Sequence, residues 1–127
     1  MSTQGTSEMK RLLIVTLLLL VVGTSEVKAA ERAWATAYCL TGTTASGTQT
    51  TEYRTVAGKR EWFGMGIHIW LDDGDGIPKD ENYLGRYIVE DTGGEPIRAG
   101  RVIDIYMPNK EDCRQFGGRR ILYELER

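Results

Sequence analysis

Histidine, cysteine and surplus positive charge are all scarce in this chain. One His and two Cys among 127 residues leave too few side chains for a structural zinc site, which takes four Cys or His ligands. Lys and Arg number 16 against 18 Asp and Glu, a net charge of −2. That balance argues against a protein that holds nucleic acid by neutralising its phosphates. It also gives no general electrostatic pull toward an anionic envelope, so any wall contact must work through shape and hydrogen bonds. Long apolar runs are missing but for one, Leu12 to Val22, eleven uncharged residues. A membrane span needs roughly 20. No internal repeat or low-complexity segment is present.

The single apolar run follows Lys10-Arg11 and precedes Val27-Lys28-Ala29-Ala30. A basic start, a short apolar segment and small residues before a cut site read as a secretory signal peptide, residues 1–29, cleaved after Ala29. The alternative is an uncleaved N-terminal anchor, the one route by which this chain would touch a membrane. The expected mature domain, residues 30–127, carries about −3, because the leading segment holds Lys10, Arg11 and Lys28 against Glu8 and Glu26. Its 98 residues suffice for one modest core. The expected location is outside the cell or in its envelope. There a disulfide is permitted, and Cys39 and Cys113 have only one pairing; the other reading is two free buried thiols.

The expected domain is mainly β. Trp34 to Tyr38 reads as a short strand, and Leu40 to Thr51 is a loop by its Thr, Gly and Ser content. Ile67 to Leu71 and Tyr87 to Glu90 are predicted to pair as a hairpin around the acidic loop Asp72 to Asn82. Arg101 to Met107 alternates, with Ile103, Ile105 and Met107 on one face and Val102, Asp104 and Tyr106 on the other. Ile121 to Leu125 is the last strand. One helix of about two turns is expected after Asn109, a good N-cap with Asp112 three residues on, and Gly117 can end it. Short strands with one small helix suggest a compact barrel. The acidic loop starts like a calcium loop at Asp73 and Asp75, but Ile77 and Pro78 stand where a third oxygen ligand and a glycine belong. A solvated hairpin loop is the better account. His68, in mid-strand, and Trp62 are read as structural residues, the latter with sugar stacking as its alternative.

Two aspartates raise the functional question. Asp91 heads the turn Thr92-Gly93-Gly94, and Asp104 lies between Ile103 and Ile105. One reading is structural: Asp91 bonds its own turn, and Asp104 points to water, though its face neighbours Val102 and Tyr106 are not polar. A second is an aspartic-protease motif, Asp-Thr-Gly, working as a dimer; Glu90 stands where that motif has an apolar residue, and too little chain follows Gly93 for the second β-half. The third takes the pair together for glycoside cleavage, which needs a carboxylic acid to protonate the leaving oxygen. Apolar neighbours raise a carboxyl pKa, which suits Asp104 to the acid and leaves Asp91 as the charged partner.

The pattern resembles the three-aspartate (3D) domain family, found in stationary-phase survival proteins and in the core of membrane-bound lytic murein transglycosylase A. Ala35 to Thr48, ATAYCLTGTTASGT, is similar to the family's opening element. VEDTGGEPIRAGRVIDIYM resembles its Asp-Thr-Gly-Gly turn and Ile-Asp-Ile-Tyr strand, and EDCRQFGGRR its closing helix and Phe-Gly. The resemblance implies a six-stranded double-psi β-barrel with one short helix near the C-terminus. It implies cleavage of peptidoglycan glycan strands without water: the second motif aspartate, here Asp104, protonates the oxygen between N-acetylmuramic acid and N-acetylglucosamine. It then takes the proton of the C6 hydroxyl as that oxygen attacks C1, giving a 1,6-anhydro sugar. Separately, a monomer is expected. Asp91 matches the first motif aspartate. No metal or organic cofactor is implied. Tyr38, Thr44, Ser46, Thr48, Gly93, Gly94 and Tyr106 are the candidate sugar contacts. Lys59 stands where the family has its third aspartate, and is expected to hold a sugar carbonyl or carboxylate, to pair with Asp91, or to be an ordinary surface lysine. Glu95-Pro96 reads as an insertion between the two motif aspartates. A non-catalytic, expansin-like wall-binding barrel is the alternative, and an interaction protein with structural aspartates a third.

Overall fold

The computed structural model describes residues 30–127; the expected signal segment, residues 1–29, lies outside them. Six strands close into one barrel: β1 (Glu31–Tyr38), β2 (Thr55–Ala57), β3 (Gly66–Leu71), β4 (Tyr83–Asp91), β5 (Val102–Tyr106) and β6 (Arg119–Leu125). Their order around the barrel is β1-β5-β2-β4-β3-β6. β1 runs parallel to β5 and β2 parallel to β4. The pairs β2–β5, β3–β4, β3–β6 and β1–β6 are antiparallel. This is the closed, mixed six-stranded double-psi barrel, and closure leaves no strand edge unpaired. Among the described residues no helix is long and apolar enough to cross a membrane.

The alternation of β5 decides which way each strand faces. Ile103 and Ile105 are buried in the core with Ala35, Val56, Ile69 and Val89. Asp104 therefore faces outward, as the sequence pattern predicts. On β1, Ala33 and Ala35 meet the core, which turns Arg32, Trp34, Thr36 and Tyr38 to the outside. β3 and β4 form the expected hairpin around the acidic loop. In that loop Lys79 lies 2.6 Å from both Asp73 and Asp75; the carboxylates are tied by a lysine and by turn hydrogen bonds from the Asp75 and Ile77 amides.

Two short helices complete the fold. α1 (Glu95–Arg98) takes up the Glu95-Pro96 insertion. Proline favours a first helical turn because its fixed φ and missing N–H cost nothing there. α2 (Lys110–Phe116) is the helix expected from sequence. The Asn109 side chain accepts hydrogen bonds from the Glu111 and Asp112 amides at 2.9 and 3.1 Å, and Gly117, at φ 60°, ends it. β2 was not visible in the sequence. Its three residues, Thr55, Val56 and Ala57, are all buried, so the segment has no polar alternation to show.

Candidate active site

The two aspartates meet across β2. Ala57 is the register partner of Asp91 on the β4 side and of Asp104 on the β5 side. One short strand thus separates them, about 9.5 Å between backbones at ordinary strand spacing. Asp91 reaches the outer face through a β-bulge. Val56 pairs with Val89 and Ala57 with Asp91, so Glu90 is an extra residue on β4. A bulge re-aims the side chain after it; without it, Asp91 would follow Val89 into the core. Glu90 is itself buried, with one oxygen on the Arg54 guanidinium at 2.7 Å and the other unpartnered.

Asp104 receives a hydrogen bond from the Thr36 hydroxyl at 2.8 Å. Thr36 is its register partner on β1, and sequence reasoning missed it. The signal was present: in Trp34-Ala35-Thr36-Ala37-Tyr38 the alternation puts Thr36 on the face of Tyr38. Burial pushes the Asp104 carboxyl above its ordinary value and the charge of Asp91 pushes it further, while the Thr36 hydroxyl acts in the opposite direction. Burial comes first among these causes because a carboxylate loses hydration under the neighbouring chain.

Asp91 is held by three donors. The Tyr38 hydroxyl donates to one oxygen at 3.0 Å; the backbone amides of Ala45 and Thr92 donate to the other, each at 3.0 Å. Burial first, and then the neighbouring Asp91 charge, drive the Tyr38 phenol far above its usual value. Tyr38 therefore stays protonated and serves as a donor that positions Asp91, with its hydroxyl already spent. Tyr106 packs beside Tyr38, ring centroids 5.5 Å apart. It is buried, and its hydroxyl shares a hydrogen bond with Thr41.

The loop after β1 covers this face. Thr44 is buried at its centre, bonded to Ser46 at 3.2 Å and to Thr48 at 2.8 Å through their hydroxyls. Thr44 shapes the loop; Ser46 and Thr48 are exposed residues whose hydroxyls bond to it. Gly94 caps α1 and is exposed beside Gly93. A Cβ on Gly93 would lie 2.7 Å from Ile97 Cδ1, so the residue lets the turn close on α1. Lys59 follows β2, but its ammonium faces Glu61 at 3.8 Å and sits over the Trp62 ring at 5.4 Å; an ion pair between Lys59 and Asp91 is not formed. Trp62 is a core residue against Tyr123. His68 bonds Tyr83 and Glu126, each at 2.8 Å, on the strand opposite β5.

Cys39 and Cys113 are free thiols, so the expected disulfide is not formed in this structure. They lie together nonetheless: α2 packs on β1, the Cys113 thiol donates to the Met107 carbonyl at 3.1 Å, and burial, then Cys39, raise the Cys113 thiol pKa. No cluster of three or more His, Cys, Asp or Glu suited to a metal occurs among the described residues.

Among solved structures, two crystal structures of MltA from Escherichia coli are similar. One matches at 24% identity over 67% of this chain and 28% of that one, with a TM-score of 0.43. The other, reported as a unique lytic transglycosylase fold, matches at 22% identity over 69% of this chain and 29% of that one, with a TM-score of 0.44. The chain spans less than a third of the length of either. No protein-family model and no curated protein sequence matches the chain.

Proposed function

We propose that residues 30–127 form an exported peptidoglycan-cleaving domain of the lytic transglycosylase type, with Asp104 as its acid and base and Asp91 as the supporting charge. The observation that carries this reading is the pair itself. Two outward carboxylates flank Ala57 under a hydroxyl-bearing loop, and burial raises the pKa of Asp104, the one that must donate a proton. A glycosidic oxygen placed at Asp104 would receive its proton. The same carboxylate would then accept the C6 hydroxyl proton as that oxygen closes on C1. The bond to the leaving sugar breaks and a 1,6-anhydro bond forms, with no water consumed.

Asp91 and the Thr36 hydroxyl have distinct parts in this scheme. The negative charge of Asp91 favours a protonated Asp104 before the reaction and stabilises positive charge developing at C1. Thr36 fixes the carboxyl orientation and limits how far its pKa climbs. Ser46, Thr48 and the exposed backbone at Gly94 offer contacts for sugar hydroxyls and acetamido groups.

A second reading, a wall-binding barrel without catalysis, is favoured by Lys59. It stands where the resembling family has its third aspartate, and it is turned to Glu61 and Trp62. Digestion of purified peptidoglycan separates the two. The enzyme reading expects 1,6-anhydromuramic products by mass spectrometry. Intact wall that sediments with the protein and yields no such product supports the binding module instead.

A further inference from the structure

A cavity of about 390 Å³ opens on the outer face of β1, lined by Arg32, Trp34, Asp72, Gly74, Arg101 and Arg120 among others. Trp34 is 49% exposed, unusual for so large an apolar side chain on a strand. It shares the outward face of β1 with Thr36 and Tyr38. One pleat repeat, about 7 Å, separates it from Thr36. Across the sheet Trp34 pairs with Val102 while Thr36 pairs with Asp104. The cavity and the candidate active site are therefore successive positions along one strand pair.

The charge in this cavity runs against that of the whole chain. Three guanidiniums line it. Arg32 is engaged by Asp72 at 3.7 Å and by the Gly74 carbonyl at 3.4 Å, and Arg101 by Glu95. Arg120 sits over the Trp34 ring, 5.5 Å from its centroid, and has no carboxylate within 4.0 Å among the described residues. A guanidinium stacked on an aromatic ring keeps its edge N–H groups free for a planar anion. Asp72 is the opposing charge on the Arg32 side and Glu95 engages Arg101, so an anion is favoured at Arg120.

We infer that Trp34 and Arg120 form a subsite for an anionic sugar ring, a carboxylate-bearing pyranose of the same glycan strand whose neighbouring linkage lies at Asp104. Trp34 offers its open ring surface to the apolar face of the sugar, and Arg120 takes the carboxylate in a bidentate pair. The inference rests on the glycan reading proposed above and adds to it the charge of the bound ring and the direction in which the strand runs.

The test is an NMR titration of the Asp104→Asn domain, which prevents turnover. The probes are a soluble oligosaccharide of N-acetylglucosamine and N-acetylmuramic acid, whose muramic units carry a carboxylate, and neutral chitotetraose. The expected result is that the muramyl oligosaccharide shifts both the Trp34 indole N–H and the amides of Thr36 and residue 104. Trp34→Ala should weaken binding about tenfold, or 1.4 kcal/mol; Arg120→Gln should weaken it severalfold for the muramyl ligand only. Added salt should reproduce the Arg120→Gln effect. Shifts at Thr36 and residue 104 with a silent Trp34 indole would overturn the subsite and leave the glycan reading standing. So would equal loss of both ligands, or of neither, in Arg120→Gln. A shifted Trp34 indole without the Thr36 response would overturn the continuity of the two sites. No shift with either ligand would remove the glycan reading and the subsite together.

Discussion

At the scale of single residues, the proposed chemistry depends on one carboxyl, Asp104, whose surroundings disfavour its charge. The folded pKa of Asp104 lies above its unfolded value, which is about 3.9 for a free aspartate. Below that value both states are protonated and nothing differs. As pH rises through the window between the two pKas, the unfolded chain ionises freely while the fold retains the proton, so stability falls. Asp104→Asn removes this loss. Urea melts across the window should show wild type losing stability relative to the variant as pH rises, each unit of pKa elevation corresponding to about 1.4 kcal/mol. Activity should fall in Asp104→Asn by about 10²-fold or more, the range for losing a general acid. Thr36→Val tests the other side of the balance. Without its hydrogen bond the Asp104 pKa should rise further, and the alkaline limb of the pH–activity profile should move up with it. A profile left in place would remove Thr36 from the site.

Among the elements, β5 and β2 contrast in how much the sequence reveals. The alternation of Val102 to Tyr106 made the outward aspartate legible, because one face is core and the other is not. The loop before β2 and the cap of α2 were legible for similar local reasons. What escaped was non-local. β2 is buried on both faces and reads as three featureless residues. The Thr36–Asp104 contact joins residues 68 apart through parallel pairing, and no local pattern encodes a parallel register. The bulge at Glu90, which turns Asp91 outward, depends on pairing with β2. The partners of Tyr38 and Thr44 escaped for the same reason: their hydroxyls looked free in sequence and are bonded to Asp91, Ser46 and Thr48 in the fold. The α2 cap offers a local check. Asn109→Ala should cost about 1 kcal/mol in a denaturant melt, with activity preserved.

At the scale of the whole molecule, residues 30–127 form a closed barrel in which the candidate site spans β1, β2, β4 and β5. No part of the chain smaller than the barrel holds both aspartates in place. A crosslink that ties distant elements should therefore act on the entire fold. Cys39 follows β1 and Cys113 lies on α2, which packs against that strand. On oxidation in an exported setting, the two thiols should form one disulfide, each losing its proton as two electrons pass to the oxidant. Closing a loop of about 75 residues corresponds to about 4 kcal/mol in the chain-entropy treatment. Thermal melts of oxidised and reduced protein, with peptide mapping of the bond, check this. Equal melting of the two forms would mean that the bond strains the barrel as much as it constrains the unfolded chain.

The most direct measurement digests purified peptidoglycan with the wild-type domain and with Asp104→Asn, each first shown to be folded by circular dichroism, and follows the products by mass spectrometry. The carboxylate pair across Ala57 predicts 1,6-anhydromuramic fragments from the wild type and none above background from the variant. Equal yields of anhydro product from the two proteins, or none from the wild type, would contradict Asp104 as the acid of a glycan-cleaving site.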